Sequence, residues 1–318
     1  MSKSLTQPPR RAFQTFMDFP LCEDLDALDA HVAILGIPYG DPYTIDEVTN
    51  DQTNAPTAIR RESDSILIGL DHYDFDIGGT LFDGKDIKVV DAGDIRGEAR
   101  ELGAHYPRAE AAVRKILAAG ACPIVFGGDH GVPIPVMRAL DAIGETITLV
   151  QVDAHLDWRD NVNGVREGYS SPIRRASEMD HIGDIYQLGI RSSGSARTEE
   201  VDAAQAYGSN IITAYDIHDH GMAAVLDRIP GGGHYYLTVD LDGLDPSIAP
   251  AVMARTPGGL LYHHMRTLIQ GLVGKGRLVG MDLNEIAPEY DLGGVTCGVT
   301  GRMAMMYIGA AVRAGYFD

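Results

Sequence analysis

The chain reads as an α/β protein, a three-layer α/β/α sandwich around a central, mostly parallel sheet of eight strands. Three observations lead there. Apolar runs of strand length recur along the chain, the stretches between them are long enough for helices, and some of those stretches carry apolar residues near i, i+3, i+4 and i+7. That spacing suits crossover helices packed over a parallel sheet.

In chain order the expected strands are residues 32–37, 87–90, 123–126, 147–152, 185–190, 210–214, 235–239 and 278–283, with amphipathic helices over 106–119 and 262–273. The first strand runs into Gly36-Ile37-Pro38-Tyr39-Gly40 and then the acidic, polar stretch 41–54. No Gly-x-Gly-x-x-Gly follows it, which disfavours a dinucleotide site. Residues 29–318 form one domain in this reading. Residues 1–28 are an N-terminal extension, serving subunit contacts or nothing.

At 318 residues, 45% of them hydrophobic, the chain is long enough to bury a substantial core and too apolar for disorder. Its formal net charge of -19 argues against nucleic acid, which needs clustered Lys and Arg, and fits a cationic small molecule. Cys22, Cys122 and Cys297 have no paired spacing, so neither a disulfide framework nor a thiolate metal site is expected. No continuous apolar segment lies near the N-terminus, and the apolar stretch 303–312 is too short to span a bilayer, so the expected setting is cytoplasmic. His263 and His264, early in a helix-like segment without an acidic companion, read as surface histidines.

Chemistry is concentrated in Asp153-Ala154-His155-Leu156-Asp157, directly after the apolar run 147–152. Alternate residues of a strand share one face, so these three side chains at i, i+2 and i+4 can converge. Two further segments follow the same grammar: Gly127-Gly128-Asp129-His130 after one apolar run, and Asp240-Leu241-Asp242-Gly243-Leu244-Asp245-Pro246 after another. In an open α/β sheet, ligands bind at the carboxyl ends of the strands, so three such segments point to one crevice. His130, Asp153, His155, Asp157, Asp240 and Asp242 are the nominated metal ligands. With oxygen and imidazole donors and no sulfur, the set favours Mn(II), while Ni(II), Co(II) and Zn(II) are chemically acceptable.

Together these segments resemble the signatures of the ureohydrolase family of arginases and agmatinases, in the family's order and over about residues 32–312. The resemblance implies two divalent ions, manganese first and nickel also in use. His130 and Asp157 would hold one, His155 and Asp242 the other, with Asp153 and Asp240 bridging. Such a pair activates a water for hydrolysis. Asp129 and Asp245 are expected to support loops or orient ligands. The resemblance also implies a homotrimer or homohexamer; a hetero-oligomer with a paralogous subunit stays open.

Glu285, after the last apolar strand, stands where the family binds the guanidinium, through paired hydrogen bonds to a carboxylate. Ser192 and Ser193 are expected in the substrate wall, and Trp158 either packs behind the metal loop or touches substrate. The clearest departure is Glu167, read as standing where the family usually has a proton-shuttling histidine. It would shuttle a proton itself or bind a cationic substrate end. The expected activity is hydrolysis of a small guanidino compound to urea and an amine, with agmatine to putrescine first. Guanidine, guanidinobutyrate, a biguanide-like compound, or formimidoylglutamase-type hydrolysis are the alternatives.

Overall fold

A computed structural model describes residues 6–7, 14–40, 43–44, 51–66, 69–97, 102–194 and 196–318. In order the regular elements are β1 (Thr6–Gln7), β2 (Val32–Ile37), α1 (Ala55–Ile66), β3 (Val89–Ile95), α2 (His105–Ala118), β4 (Cys122–Gly127), α3 (Pro133–Ala139), β5 (Ile147–Val152), α4 (Pro172–Ala176), β6 (Ile182–Ile190), α5 (Thr198–Tyr207), β7 (Asn210–Thr213), α6 (Ala214–His220), α7 (Met222–Arg228), β8 (His234–Asp240), α8 (Tyr262–Lys275), β9 (Arg277–Asn284) and α9 (Val295–Arg313). The strands form one sheet in the order β1-β3-β2-β4-β9-β8-β5-β6-β7. All adjacent pairs from β3 to β7 are parallel, and two-residue β1 runs antiparallel on the β3 edge.

Each of the eight expected strands is present. The second is displaced, from 87–90 to Val89–Ile95, because Asp91 and Asp94 interrupt its apolar pattern. Both are nonetheless buried, as their charge is met by Arg60 of α1: Nε lies 2.7 Å from Asp91 Oδ2 and Nη2 2.9 Å from Asp91 Oδ1, and Nη1 lies 2.5 Å from Asp94 Oδ1.

Alternation along β2 shows the three layers. Val32 and Ile34 belong to the core cluster that includes residues of α1, α6, α7, α8 and α9, whereas Ala33, Leu35 and Ile37 belong to the one that includes residues of α2, α3, α4 and α5. α9 is long and apolar enough to cross a membrane by length and composition, but most of it is buried in the fold. It is longer than the apolar stretch 303–312 within it, and serves as a core helix.

Residues 14–28, read as part of an extension, are packed into the domain. Phe16 and Met17 are buried in the core beside α1 and β4. The Phe16 N–H donates to Asp91 Oδ2 at 2.8 Å, and the Met17 N–H to Ser63 Oγ at 2.8 Å. An apolar pair enclosed by polar residues carries too little periodicity to be seen in sequence.

Strands β4, β9, β8 and β5 are adjacent and parallel, so the segments after them, 128–130, 285, 240–242 and 153–157, meet at one edge. The chain builds β2, β3 and β4 on one side and β5, β6 and β7 on the other, then inserts β8 and β9 between. This is the switch-point position at which open α/β sheets bind ligands.

Candidate metal centre

All six nominated ligands converge there. His130 Nδ1 lies 2.7 Å from Asp157 Oδ2, 3.1 Å from Asp153 Oδ2 and 3.6 Å from Asp240 Oδ2. On the other side, His155 Nδ1 lies 3.3 Å from Asp153 Oδ1 and 3.0 Å from Asp242 Oδ2. Two groups result, His130 with Asp153 and Asp157, and Asp153 with His155, Asp240 and Asp242, each with its donor atoms within 4.8 Å of one another. Asp153 belongs to both, its two oxygens turned to different histidines.

The surroundings hold this geometry. The Asp157 backbone is left-handed, φ 56°, a conformation that costs a non-glycine residue on the order of 1 kcal/mol and turns its side chain back towards His130. A Cβ at Gly243 would sit 2.7 Å from the backbone nitrogen of Asp153, so only glycine lets the two loops approach. Behind Asp153, Gln151 Nε2 donates to Oδ2 at 2.7 Å, Gln187 Nε2 donates to Gln151 Oε1 at 2.6 Å, and Trp158 Nε1 donates to Gln187 Oε1 at 2.8 Å. His130 Nε2 is 3.0 Å from Thr238 Oγ1, which donates to buried Asp282 at 2.7 Å. Thr238 and Asp282 went unnoticed in the sequence because each reads as an interruption of an apolar strand.

The donor set fits a pair of divalent cations. Asp153, Asp157, Asp240 and Asp242 are all nearly inaccessible to solvent, a burial of like charges that only countercharge makes tolerable. Burial, then Asp153, pushes the Asp157 carboxyl up to about 8. Burial, then Asp242, pushes Asp240 well above the carboxylate range. Burial disfavours charging of His155, but Asp153 and Asp242 outweigh it and hold the imidazole up to about 12.

A pH dependence follows for protein stripped of divalent ions. Its folded state binds more protons than the unfolded chain, on Asp157 from about pH 4 to 8 and on His155 from about pH 6.5 to 12, so stability falls as pH rises through those ranges. Bound divalent ions would replace those protons. The melting temperature of the stripped protein is expected to fall between about pH 5 and pH 8, and the gain on adding Mn(II) to widen over the same range. Calorimetry that finds the stripped protein more stable at the higher pH contradicts this account.

Above the centre opens a cleft of about 430 Å³. His155, Asp157, Asp240, Asp242 and Glu285 form its floor, and Tyr43, Gln52, Trp158, Arg159, Tyr169, Ser170, Glu200 and Met253 are among its walls. Glu285 is buried with φ 72°; its Oε1 accepts the His130 N–H at 2.7 Å and its Oε2 accepts from Gln52 Nε2. Burial, then Asp129, pushes its carboxyl up to about 8. On one wall the Tyr43 and Tyr169 rings lie 4.6 Å apart, and Tyr43 Oη accepts the Ser170 N–H at 3.0 Å.

The arginase-family model matches residues 30–309. The chain belongs to the arginase family. It is 31% identical over 312 residues to the guanidinobutyrase of Pseudomonas aeruginosa, covering 93% of each chain, and 31% identical over 313 residues to the agmatinase of Citrobacter koseri, covering 94% of each. The solved structure of proclavaminate amidinohydrolase from Streptomyces clavuligerus superimposes with a TM-score of 0.78 at 28% identity, covering 97% of this chain and all of that one. Arginase-family enzymes are hydrolases of guanidino C–N bonds that use a binuclear divalent metal site.

Within this arginase-family cleft several expected residues are displaced. Glu167 is not among the lining residues. Its carboxylate is ion-paired with Arg138 of α3, and its backbone carbonyl accepts from Tyr106 Oη at 2.9 Å. From this segment Tyr169 and Ser170 face the cleft instead. Ser192 and Ser193 are exposed and also outside the lining, which takes only Gly194 from that loop among the described residues. Most of the polar stretch 41–54 lies outside the described residues, but Tyr43, Thr44 and Gln52 of it line the cleft. Trp158 packs behind the metal loop, its Nε1 donating to Gln187, and its side chain also lines the cleft. Asp245 supports a loop, accepting the N–H groups of Ser247, Gly258 and Gly259. His264 is a correction: it is buried, and its Nδ1 accepts the Leu261 N–H at 3.0 Å at the start of α8, while His263 is exposed.

Proposed function

We propose that this protein is a binuclear metal-dependent amidinohydrolase that adds water to a small guanidino compound and releases urea and an amine. The convergence of six oxygen and nitrogen donors on two overlapping sites carries the reading. His130 and Asp157 would hold one ion and His155 and Asp242 the other, with Asp153 and Asp240 available to both. Mn(II) is the first choice and Ni(II) the second. When bound, the ions supply positive charge and an activated water for attack on the guanidino carbon.

The chain's own groups do the rest. With Nε2 donating to Thr238, His130 presents the Nδ1 lone pair to the centre, the tautomer a ligand needs. Glu285 accepts a pair of guanidinium N–H groups, for which the His130 N–H and the Gln52 amide hold its carboxylate in place. Its raised pKa comes from burial, then from Asp129 and Asp242 nearby, so a guanidinium beside it favours the ionised form that binds it. Ion-paired to Arg138, Glu167 is a wall support rather than a proton shuttle. A cytoplasmic setting and a homotrimer or homohexamer, with a paralogous partner subunit left open, belong to the same proposal.

Urea release from agmatine, 4-guanidinobutyrate, arginine and guanidine, after separate loading with Mn(II) and Ni(II), tests the reaction. Urea from at least one is expected. Silence with two ions bound, or ammonia or formamide released from a formimidoyl substrate instead, overturns it.

A further inference from the structure

Resting on that reading for the end that is cleaved, we infer that the substrate's other end is a carboxylate and that Arg159 selects it. The substrate class is therefore a short ω-guanidino acid rather than a diamine derivative such as agmatine. Among the described residues lining the cleft, Arg159 is the only Lys or Arg. It stands two residues beyond Asp157, so its Cα is within about 7 Å of that residue's. Its N–H donates to the Ser170 carbonyl at 3.0 Å, which fixes its backbone against the wall carrying Tyr169.

What sets Arg159 apart is the state of its donors. Its Nε lies 3.6 Å from Glu200 Oε1, beyond hydrogen-bonding distance, and its guanidinium makes no hydrogen bond among the described residues. The side chain is 29% exposed, towards the cleft. Glu200 is itself engaged at the start of α5, where its Oε2 accepts the Arg197 N–H at 2.8 Å. Arg191, after β6, is the contrast: its donors are taken by the carbonyls of Gly189, Asp242, Gly243, Leu244, Thr256 and Pro257, and its role is to tie loops together.

A guanidinium that is ion-paired at 3.6 Å but donates no hydrogen bond among the described residues keeps its fork for a carboxylate, which it grips through two parallel hydrogen bonds. An ammonium tail would meet like charge at Arg159 and find Glu200 already occupied. Between head and tail, the Tyr43–Tyr169 pair and Met253 offer apolar surface to a few methylenes. The overall charge of -19 attracts cations to the surface in general, but at this end of the cleft Arg159 and Glu200, 3.6 Å apart, balance each other.

The test compares kcat/KM of the Mn(II)-loaded enzyme for 3-guanidinopropionate, 4-guanidinobutyrate, agmatine and the neutral-tailed propylguanidine. The wild type is expected to prefer a guanidino acid to agmatine by at least about 100-fold. Arg159→Ala should cut the ratio of guanidino acid to propylguanidine by about 10- to 100-fold, through KM, and Arg159→Lys should restore part of it. Arg159→Glu should turn the preference towards agmatine. Titration calorimetry of 4-guanidinobutyrate onto wild type and Arg159→Ala, both stripped of divalent ions, reads the same contact without turnover, so a chain that cleaves no guanidine fails the hydrolase reading while this one is still decided by binding. Agmatine cleaved as well as the acids, a uniform loss on all substrates in Arg159→Ala, or unchanged binding in that variant overturns the inference.

Discussion

Asp153→Asn is expected to lose hydrolysis by on the order of 10³-fold or more, because metal ions supply several kcal/mol of catalysis and each 1.36 kcal/mol is tenfold in rate. No other candidate ligand is placed as this one is. Its Oδ2 faces His130 and its Oδ1 faces His155, so it is the carboxylate shared by both donor groups. Asparagine keeps the shape but offers one acceptor in place of two, and it removes a charge from a buried cluster that two cations must neutralise. Its amide would also turn N–H groups towards a centre built for cations. The reading is metal content together with rate: fewer than two ions per chain, by mass spectrometry of the desalted protein, with a folded far-ultraviolet spectrum. A variant that keeps two ions and more than about a tenth of the rate would show that Asp153 does not bridge.

The contrast between Asp153 and Glu167 shows what the sequence makes legible. Asp153, His155 and Asp157 are neighbours in sequence just past a strand, as Asp242 is just past Asp240, so closeness along the chain keeps them together, although it is the turn after each strand, left-handed at Asp157 and 3-10 at Asp242, that aims them at one centre. Strand positions followed from largely apolar runs, and the second strand, where Asp91 and Asp94 break the run, was the one displaced. Glu167 sits in a loop, where nothing local fixes a side chain's direction, and the partner that draws it away, Arg138, lies on a different helix. Gln52 reaches Glu285 across 233 residues of chain, and the donors of Arg191 and Arg159 look alike in sequence although one set is consumed and the other is not. The packing of Phe16 was hidden for the same reason, since its N–H donates to Asp91, 75 residues further on.

Arg60→Met is expected to destabilise the folded protein by about 3–5 kcal/mol, the cost of leaving a buried charge without its partner. Arg60, Asp91 and Asp94 have side chains only 1%, 0% and 3% exposed, so water cannot replace the missing guanidinium. Methionine fills most of the volume but answers neither carboxylate, and one of them must take up a proton or draw the core apart. The damage should reach the cleft. Arg60 anchors α1 to β3 and bonds the Gly93 carbonyl at 3.1 Å, and the residues leading into α1 carry Gln52 to Glu285. Substrate affinity is therefore expected to weaken in the variant under conditions where it is still folded. Denaturant unfolding measures the first effect and KM the second. A triple variant with apolar residues at 60, 91 and 94 separates charge from packing: if an unpaired charge is the cause, it recovers most of the stability that Arg60→Met loses. If it recovers none, the cluster acts through shape, and the account of why two acids lie buried in β3 is wrong.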